Sequence, residues 1–230
     1  MKKVVIITGA SRGIGASCAK LLDAHGYEVV KVSLHKKDAR SLICDVQKEP
    51  SVKSTVQKIL KKYKRIDALV NCAGVVSFSS SLKTTQTEWE RVMGVNLLGT
   101  YYFSKHVIPQ MKKQKSGRIV NISSIAGRLY SRMASLPYTC SKYAVIGLTK
   151  QMAAEFAQDG ITINCLCPSQ TKTDMISKNF SQSQIEQMIK KIPVGRLAHP
   201  SEIAHVIHFL LSEQASYMNG SIIDVNGGQL

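Results

Sequence analysis

The chain has little of what marks membrane, secreted or single-strand-binding proteins. Its apolar runs are short: the run after Met1-Lys2-Lys3 ends at Thr8, and no run approaches the roughly 18 residues of a membrane span. Six cysteines are scattered without paired spacing, which predicts reduced thiols. Aromatic residues make up only 6% and stand mostly away from the basic clusters, so a base-stacking surface is missing. We therefore expect a soluble, cytoplasmic protein with no membrane span.

Acidic residues are also scarce: 15 Asp and Glu stand against 31 Lys and Arg, which gives a formal net charge of +16. This excess fits an anionic cofactor, an acidic protein partner or nucleic acid, although a solvated basic surface is the plainer interpretation. The basic residues form dispersed pairs rather than a single arm: Lys36-Lys37, Lys61-Lys62, Lys112-Lys113 and Lys190-Lys191. Nucleic-acid binding would rest on charge alone, and we expect none.

Strand-length apolar runs alternate with segments of helical spacing throughout the chain. The runs are rich in Val and Ile, as in strands buried on both faces: Val4 to Thr8, Glu28 to Ser33, Ser41 to Cys44, Ile66 to Asn71, Gly117 to Ile122, Ile161 to Leu166 and Ser221 to Val225. Helical patterns begin near Gly13, Ser51, Thr85, Leu136 and Pro200. The alternation predicts an α/β fold in a single domain, residues 1–230: a doubly wound, Rossmann-type parallel sheet with helices on both faces.

The polar stretch from Lys172 to Lys191 interrupts this alternation after the sixth predicted strand. Sheets of this type bind their ligands at the carboxyl ends of the strands. We therefore expect residues 172–191 to form an insertion that serves as a substrate lid.

A glycine-rich turn lies between the first predicted strand and the first helix. It reads Thr8-Gly9-Ala10-Ser11-Arg12-Gly13-Ile14-Gly15. Glycines at this point let backbone N–H groups and a helix N-terminus approach a pyrophosphate, and no Gly-Lys-Ser/Thr of a nucleotide triphosphatase follows. The sequence predicts a dinucleotide site that includes Gly9, Ser11, Arg12, Gly13, Ile14 and Gly15.

The end of the second predicted strand lacks the acidic residue that usually binds the ribose 2′-hydroxyl of NAD. Ser33-Leu34-His35-Lys36-Lys37 stands there instead. With Arg12, the small polar Ser33, His35 and Lys36 favour a 2′-phosphate and hence NADP(H), unless the lysines only solubilise the loop. Asp45 and Val46 follow the third strand, where Asp45 either holds an adenine amino group or caps the loop.

A tyrosine and a lysine four residues apart give the sharpest chemical signal. In Tyr138-Thr139-Cys140-Ser141-Lys142 the two side chains share one helix face, and the cation stabilises a phenolate beside it. Upstream, a predicted strand ends in Ser123-Ser124, where a hydroxyl either stabilises charge on a substrate oxygen or caps the turn. Asn96 is a polar residue in an apolar helical stretch, suited to a water-mediated proton relay or to bonding a nearby backbone group.

With these motifs the chain resembles the short-chain dehydrogenase/reductase family over nearly its whole length. The residues that carry the resemblance keep the family's order and spacing: Thr8 to Gly15, Asp45-Val46, Asn71-Cys72-Ala73-Gly74, Asn96, Ser124, Tyr138, Lys142, Pro168 with Thr173, and Asn226-Gly227-Gly228. The resemblance implies a catalytic set of Asn96, Ser124, Tyr138 and Lys142. Ser124 is preferred to Ser123 because the family's serine is followed three residues later by a small residue, here Gly127.

The resemblance also assigns further cofactor contacts: Asn71, Ala73, Gly74, Tyr138, Lys142, Pro168, Thr171 and Thr173. Asn71 to Gly74 would support the central sheet and flank the cofactor, and Thr173 would meet the nicotinamide amide. The family's Pro-Gly pair reads Pro168-Ser169 here. Serine resists the positive φ that glycine allows, which leaves the conformation of this loop open.

The resemblance is strongest to 3-oxoacyl-acyl-carrier-protein reductases, in compact length, in Ile161 to Asn164 and in the closing Ser221 to Gly228. It implies NADP(H)-dependent interconversion of a carbonyl and an alcohol with Tyr138 as acid/base, as in fatty acid biosynthesis. The substrate would be a small-molecule or carrier-bound carbonyl, with an acidic acyl carrier protein as partner, and the family is commonly a homotetramer.

Two other functions stay open: a dehydrogenase of a small sugar, nucleotide sugar or other free alcohol, and a catalytically silent NADP-binding regulatory protein. Retention of all four catalytic residues argues against the silent protein. We expect no metal, because His205 and His208, three apart on a predicted helix, have no third ligand beside them.

Overall fold

The computed structural model describes residues 2–35 and 41–230, and this part of the chain forms one seven-stranded sheet. The strands are β1 Val4–Thr8, β2 Glu28–Ser33, β3 Ser41–Ile43, β4 Ala68–Asn71, β5 Gly117–Ile122, β6 Ile161–Pro168 and β7 Ile222–Val225. Their order is β3-β2-β1-β4-β5-β6-β7, and every neighbouring pair is parallel. The predicted parallel sheet is therefore confirmed.

Helices cover both faces of the sheet, as predicted. They are α1 Gly13–Ala24, α2 Glu49–Tyr63, α3 Gln86–Met93, α4 Gly99–Gln114, α5 Leu136–Phe156, α6 Asp174–Ser177, α7 Gln182–Ile189 and α8 Pro200–Leu211. Apolar residues of α1 and α8 bury one face, and those of α2, α4 and α5 bury the other. Within the described ranges, no helix is both long and apolar enough to cross a membrane.

The sheet reverses its direction of winding at β1, which pairs with β2 on one side and with β4 on the other. Connections on opposite sides of such a switch point run to opposite faces and leave a crevice at the carboxyl ends of the strands. The glycine turn leaves β1 at this edge, and the loop 72–80 leaves β4 beside it. The fold thus places the two segments next to each other.

One π-helical turn, Gly94–Leu98, joins α3 to α4 and contains Asn96. Gly99 donates its backbone N–H to the carbonyl of Gly94, five residues earlier. A Cβ on Gly99 would lie 2.8 Å from Cγ2 of Val46, so glycine lets this turn approach the loop after β3. Turns of this kind are frequent at functional sites, and the hydrophobic period of the sequence contains no signal for them.

A histidine pair joins α1 to α8, with 4.2 Å between the ring centroids of His25 and His208. Burial, followed by the nearby imidazoles of His25 and His205, lowers the pKa of His208. A histidine with a lowered folded-state pKa contributes stability above its unfolded value of about 6.5 and loses it as pH falls. We expect the melting temperature to drop as the pH falls from about 7 to about 5, and to drop less in His208→Gln. Differential scanning calorimetry measures the melting temperature at each pH. The same dependence on pH in the native protein and in His208→Gln would contradict this expectation.

Candidate active site

A cleft of about 1290 Å³ opens at the carboxyl edge of the sheet, at the switch point. The sequence-predicted residues that line it are Gly9, Ser11, Arg12, Gly13, Ile14, Gly15, Ser33, His35, Asp45, Val46, Ala73, Gly74, Ser124, Tyr138, Lys142, Pro168, Thr171 and Thr173. Lys36 lies outside the described residues. Asn71 and Asn96 are buried behind the wall rather than lining it. The candidate cofactor and catalytic groups therefore share one cleft.

The glycine turn packs directly on the loop after β4. Gly9 has φ +67°, and a Cβ there would lie 2.7 Å from Cα of Ala73. A Cβ on Gly15 would overlap the carbonyl oxygen of Gly9. The first turn of α1 carries no acidic residue, and Arg12 makes no capping hydrogen bond there. The N-terminus of α1, with no acidic residue or capping side chain at it, therefore suits a pyrophosphate.

Thr8 holds the loop after β4 against the glycine turn. The sequence reasoning did not single out this residue for that role. Its Oγ1 accepts hydrogen bonds from the backbone N–H groups of Cys72 and Ala73, each at 3.0 Å. Thr8 is buried at the end of β1. A buried hydroxyl at a strand end is the signal that could have identified it, because such a group needs a partner.

The end of β2 and the loop after β3 carry the groups expected to meet the adenosine half of the cofactor: Ser33 at its ribose and Asp45 at its adenine. Ser33 Oγ donates to the carbonyl of His35 at 2.6 Å. Asp45 accepts from the backbone N–H of Gln47 at 3.1 Å and forms an ion pair with Lys48 at 3.7 Å. Asp45 thus caps its loop, one of the two predicted roles, while it also lines the cleft.

Tyr138 and Lys142 lie on the cleft side of α5, as their spacing predicts. Lys142 Nζ lies 5.6 Å from the centroid of the Tyr138 ring and donates to the carbonyl of Ile122 at 2.9 Å. Lys142 is only 5% exposed, whereas Tyr138 is partly exposed. Among the described residues, the Tyr138 hydroxyl has no hydrogen-bond partner. The phenol is therefore free to meet a ligand, with the ammonium held beneath it.

The two serines after β5 have different environments. Both line the cleft, but Ser123 is buried, and its Oγ donates to the carbonyl of Lys142 at 2.7 Å. Ser124 lines the cleft, and its Oγ accepts from the N–H of Ala126 at 3.1 Å. That bond caps the turn and leaves the hydroxyl proton of Ser124 to donate. A Cβ at Gly127 would lie 2.7 Å from the Lys142 carbonyl oxygen, which explains the small residue there.

Asn96 uses its whole side chain to hold the cleft wall. Its Oδ1 accepts from the N–H of Val75 at 2.9 Å, and its Nδ2 donates to the Val75 carbonyl at 3.0 Å. Nδ2 also donates to Ser141 Oγ at 2.9 Å. Asn96 therefore bonds nearby backbone, one of its two predicted roles; the water-mediated relay stays a prediction.

Asn71 is likewise a structural support. Its Nδ2 donates to Asn121 Oδ1 at 2.8 Å and to Ser104 Oγ at 3.1 Å, which ties β4 to β5 and α4. The side chain is directed toward β5 and α4, and its contact with a cofactor stays a prediction.

The loop after β6 accepts serine without strain. Among the described non-glycine residues only Lys64 and Lys115 have positive φ, so Ser169 does not adopt the conformation that glycine would allow. Its N–H donates to the carbonyl of Val225 at 3.0 Å, and Thr171 Oγ1 donates to the Ser169 carbonyl at 3.0 Å.

Residues 172–191 contain α6 and α7 and border the cleft. A Cβ on Gly13 would lie 3.2 Å from Cγ2 of Thr173, which puts the segment's start over the glycine turn. Phe180 meets Phe78 of the loop after β4 edge to face, with 5.3 Å between ring centroids. This contact reaches across the cleft, and sequence spacing alone contains no signal for it.

Cys72 also lines the cleft, in the Asn71-Cys72-Ala73-Gly74 motif. Burial raises the pKa of its thiol to about 11, and the charge of Lys142 only partly opposes this. A neutral thiol is a poor nucleophile, so Cys72 is not a candidate for covalent catalysis. In residues 2–35 and 41–230, no three His, Cys, Asp or Glu side chains are arranged to hold a metal ion.

Comparison with known proteins agrees with this geometry. A family model described as enoyl-(acyl carrier protein) reductase matches residues 9–229. The 3-oxoacyl-(acyl-carrier-protein) reductase of Thermotoga maritima is 35% identical over 240 residues, covering 98% of this chain and 97% of that protein. The acetoacetyl-CoA reductase of Shinella zoogloeoides is 36% identical over 239 residues, covering 100% and 99%.

A solved structure of Thermoplasma acidophilum aldohexose dehydrogenase in ligand-free form has a TM-score of 0.92 to this chain at 36% identity, covering 99% of this chain and 94% of that one. Each of these matches spans nearly the whole sequence. The chain therefore belongs to the short-chain dehydrogenase/reductase family, whose members are oxidoreductases that act on CH–OH and C=O groups with a nicotinamide cofactor.

Proposed function

We propose that this protein is an NADP(H)-dependent reductase of 3-oxoacyl thioesters, with Tyr138 as its proton donor. One observation carries the proposal: Tyr138, Ser124 and Lys142 meet in the same cleft as the glycine turn. The close fit of Gly9 and Gly15 leaves backbone N–H groups, rather than side chains, facing the site of a pyrophosphate.

A bound nicotinamide dinucleotide supplies the hydride. Tyr138 donates a proton to the carbonyl oxygen of the substrate as negative charge develops there. The Ser124 hydroxyl donates a hydrogen bond to the same oxygen and orients it. Lys142, held by the Ile122 carbonyl, stabilises the phenolate that remains. Asn96 holds the cleft wall at Val75.

Charge at the adenosine end of the cleft supports NADP(H). The Arg12 side chain is exposed at the cleft, with no ion pair to any described residue, and the end of β2 carries Ser33 in place of an acid. A guanidinium binds phosphate through charge-assisted hydrogen bonds, whereas a ribose hydroxyl gains less from it.

Changing the charge at Ser33 or Arg12 should shift the cofactor preference from NADPH toward NADH. We expect Ser33→Asp to lower the ratio of kcat/KM for NADPH to that for NADH at least about tenfold, because the carboxylate repels the 2′-phosphate. Arg12→Ala should weaken NADPH and leave NADH unchanged. Lys20→Ala, an exposed cation on α1 outside this cleft, is the control. An unchanged ratio in both variants would contradict the assignment.

The other half of the cleft supports a thioester. Phe78, Phe180 and Met188 give it apolar surface for an acyl chain, while Arg132, Lys178 and Lys191 stand around it. These cations suit the phosphate of a pantetheine arm and the acidic surface of an acyl carrier protein. We propose that residues 172–191 of this single domain close over that substrate.

Two further features belong to the proposal. Free cysteines throughout the described chain suit a cytoplasmic protein. Exposed apolar side chains on α8 and the adjoining segment, Phe209 and Tyr217, suit the contacts of a homotetramer.

A second candidate is a dehydrogenase of a small sugar or other free alcohol. The amides of Gln184, Gln187 and Gln229 also line the cleft, and amides are suited to hydroxyl groups. The aldohexose dehydrogenase of similar fold keeps this candidate open.

A substrate panel separates these functions. We expect NADPH oxidation with acetoacetyl-acyl carrier protein and, less efficiently, with acetoacetyl-CoA, and none of comparable kcat/KM with aldohexoses and NADP⁺. The reverse order would favour the sugar dehydrogenase. NADPH binding without turnover on the whole panel would favour a regulatory protein.

A further inference from the structure

Ser141, on α5 between Tyr138 and Lys142, makes two hydrogen bonds in a fully buried position. Its side chain is 0% exposed. Its Oγ accepts from Asn96 Nδ2 at 2.9 Å and donates to the backbone carbonyl of Tyr138 at 2.7 Å. A hydroxyl has one proton to donate, and here that proton goes to Tyr138 while a lone pair serves Asn96.

The bonds form a continuous chain across three elements. Val75, in the loop after β4, is held at both its N–H and its carbonyl by Asn96 in the π-helical turn. Asn96 bonds Ser141, and Ser141 bonds Tyr138 in the first turn of α5. The loop that lines the cleft is thus tied to the backbone that carries the phenol.

We propose that Ser141 is a positioning residue that sets where the Tyr138 phenol stands relative to the cleft wall at Val75. The inference rests on the proposed function of Tyr138. Ser141 is fully buried and does not line the cleft, so its effect passes through Tyr138 and Asn96. Networks of buried hydrogen bonds hold their members in one arrangement, and displacing a catalytic group by about 1 Å costs on the order of 10²-fold in rate.

The chain contains a matched control in Thr149, further along α5. Thr149 is also 0% exposed. Its Oγ1 donates to the Val145 carbonyl at 2.8 Å and accepts from Asn121 Nδ2 at 3.0 Å. The pattern of bonds is the same: one to a preceding carbonyl of the helix and one from an asparagine of a neighbouring element. Thr149 does not line the cleft.

The experiment compares Ser141→Ala, which removes a buried hydroxyl, with Thr149→Val, which replaces a buried hydroxyl by a methyl group. Both variants should lose stability in urea, since each leaves an asparagine N–H unpaired. We expect only Ser141→Ala to lower kcat, by about 10- to 100-fold, with KM for substrate and Kd for NADPH within about twofold. The solvent deuterium isotope effect on kcat should rise in Ser141→Ala, because proton donation by a displaced phenol becomes slower.

A readout independent of turnover is amide hydrogen exchange. In Ser141→Ala, the peptide covering residues 136–142 should exchange faster than in the native protein, and in Thr149→Val it should not. Ser141→Thr should restore kcat, since Thr149 makes the same pair of bonds with a threonine hydroxyl. Ser141→Cys, whose thiol is a weak donor, is the second variant in case threonine does not fold, and it should give an intermediate kcat.

The outcomes separate the two proposals. If the native protein reduces no carbonyl, the proposed function fails. If it is active and Tyr138→Phe is not, but Ser141→Ala is as active as Thr149→Val with an unchanged isotope effect, the role of Ser141 alone is overturned. A loss of kcat in Ser141→Ala that Ser141→Thr restores, with Thr149→Val unaffected, supports it.

Discussion

Replacing Tyr138 by phenylalanine is expected to lower kcat by about 10²- to 10⁴-fold, the usual contribution of a general acid. Phenylalanine keeps the ring over Lys142, so the cation–ring contact and the packing of α5 should persist. Only the proton that reaches the substrate oxygen is lost. Initial rates of NADPH oxidation measure kcat, and NADPH fluorescence measures binding, which should change by less than about threefold.

Tyr143→Phe is the control for this change. Tyr143 follows Lys142 on α5 but is 47% exposed and does not line the cleft. Its variant should keep native kcat. If Tyr138→Phe retained full activity, the proton would come from another group and the assignment of Tyr138 would be wrong.

The second large effect is expected at Gly15. A methyl group there would overlap the carbonyl oxygen of Gly9, which is backbone of the glycine turn and not the end of a flexible side chain. The glycine turn must therefore move, at a cost of about 1–3 kcal/mol. Because that movement displaces the N–H groups that suit a pyrophosphate, we expect Kd for NADPH to rise about 10- to 100-fold. Fluorescence titration measures it directly.

Gly147→Ala supplies the contrast. Gly147 lies inside α5, and a Cβ there meets nothing within 4 Å. Alanine should stabilise the helix by about 0.5–1 kcal/mol and leave NADPH binding unchanged. Native affinity in Gly15→Ala would mean that the glycine turn is not the pyrophosphate site.

The parts of the site that local sequence predicts are those fixed by short-range geometry. A strand, a glycine turn and a helix in succession place Gly9 to Gly15 at the sheet edge. The four-residue spacing places Tyr138 and Lys142 on one helix face. In both cases the structure agrees, because neither arrangement depends on distant residues.

The direction of a polar side chain depends on its partners in space, and the sequence does not specify them. The resemblance implies that Asn71 supports the central sheet and flanks the cofactor, but only the structure gives its partners, Asn121 of β5 and Ser104 of α4. The π-helical turn that orients Asn96 has no hydrophobic period of its own. Ser141 lies between Tyr138 and Lys142 in the sequence, but the role proposed for it requires a partner, Asn96, from another helix.

A single turnover tests directly whether Tyr138 delivers a proton while NADPH reduces a bound carbonyl. The protein is mixed with an equal amount of NADPH, the complex is confirmed by fluorescence, and a 3-oxoacyl thioester is then added while nicotinamide absorbance is followed. We expect complete loss of the absorbance in the native protein and a much slower loss in Tyr138→Phe. A stable NADPH complex whose absorbance does not change with any carbonyl would contradict it and indicate a nucleotide-binding regulatory protein.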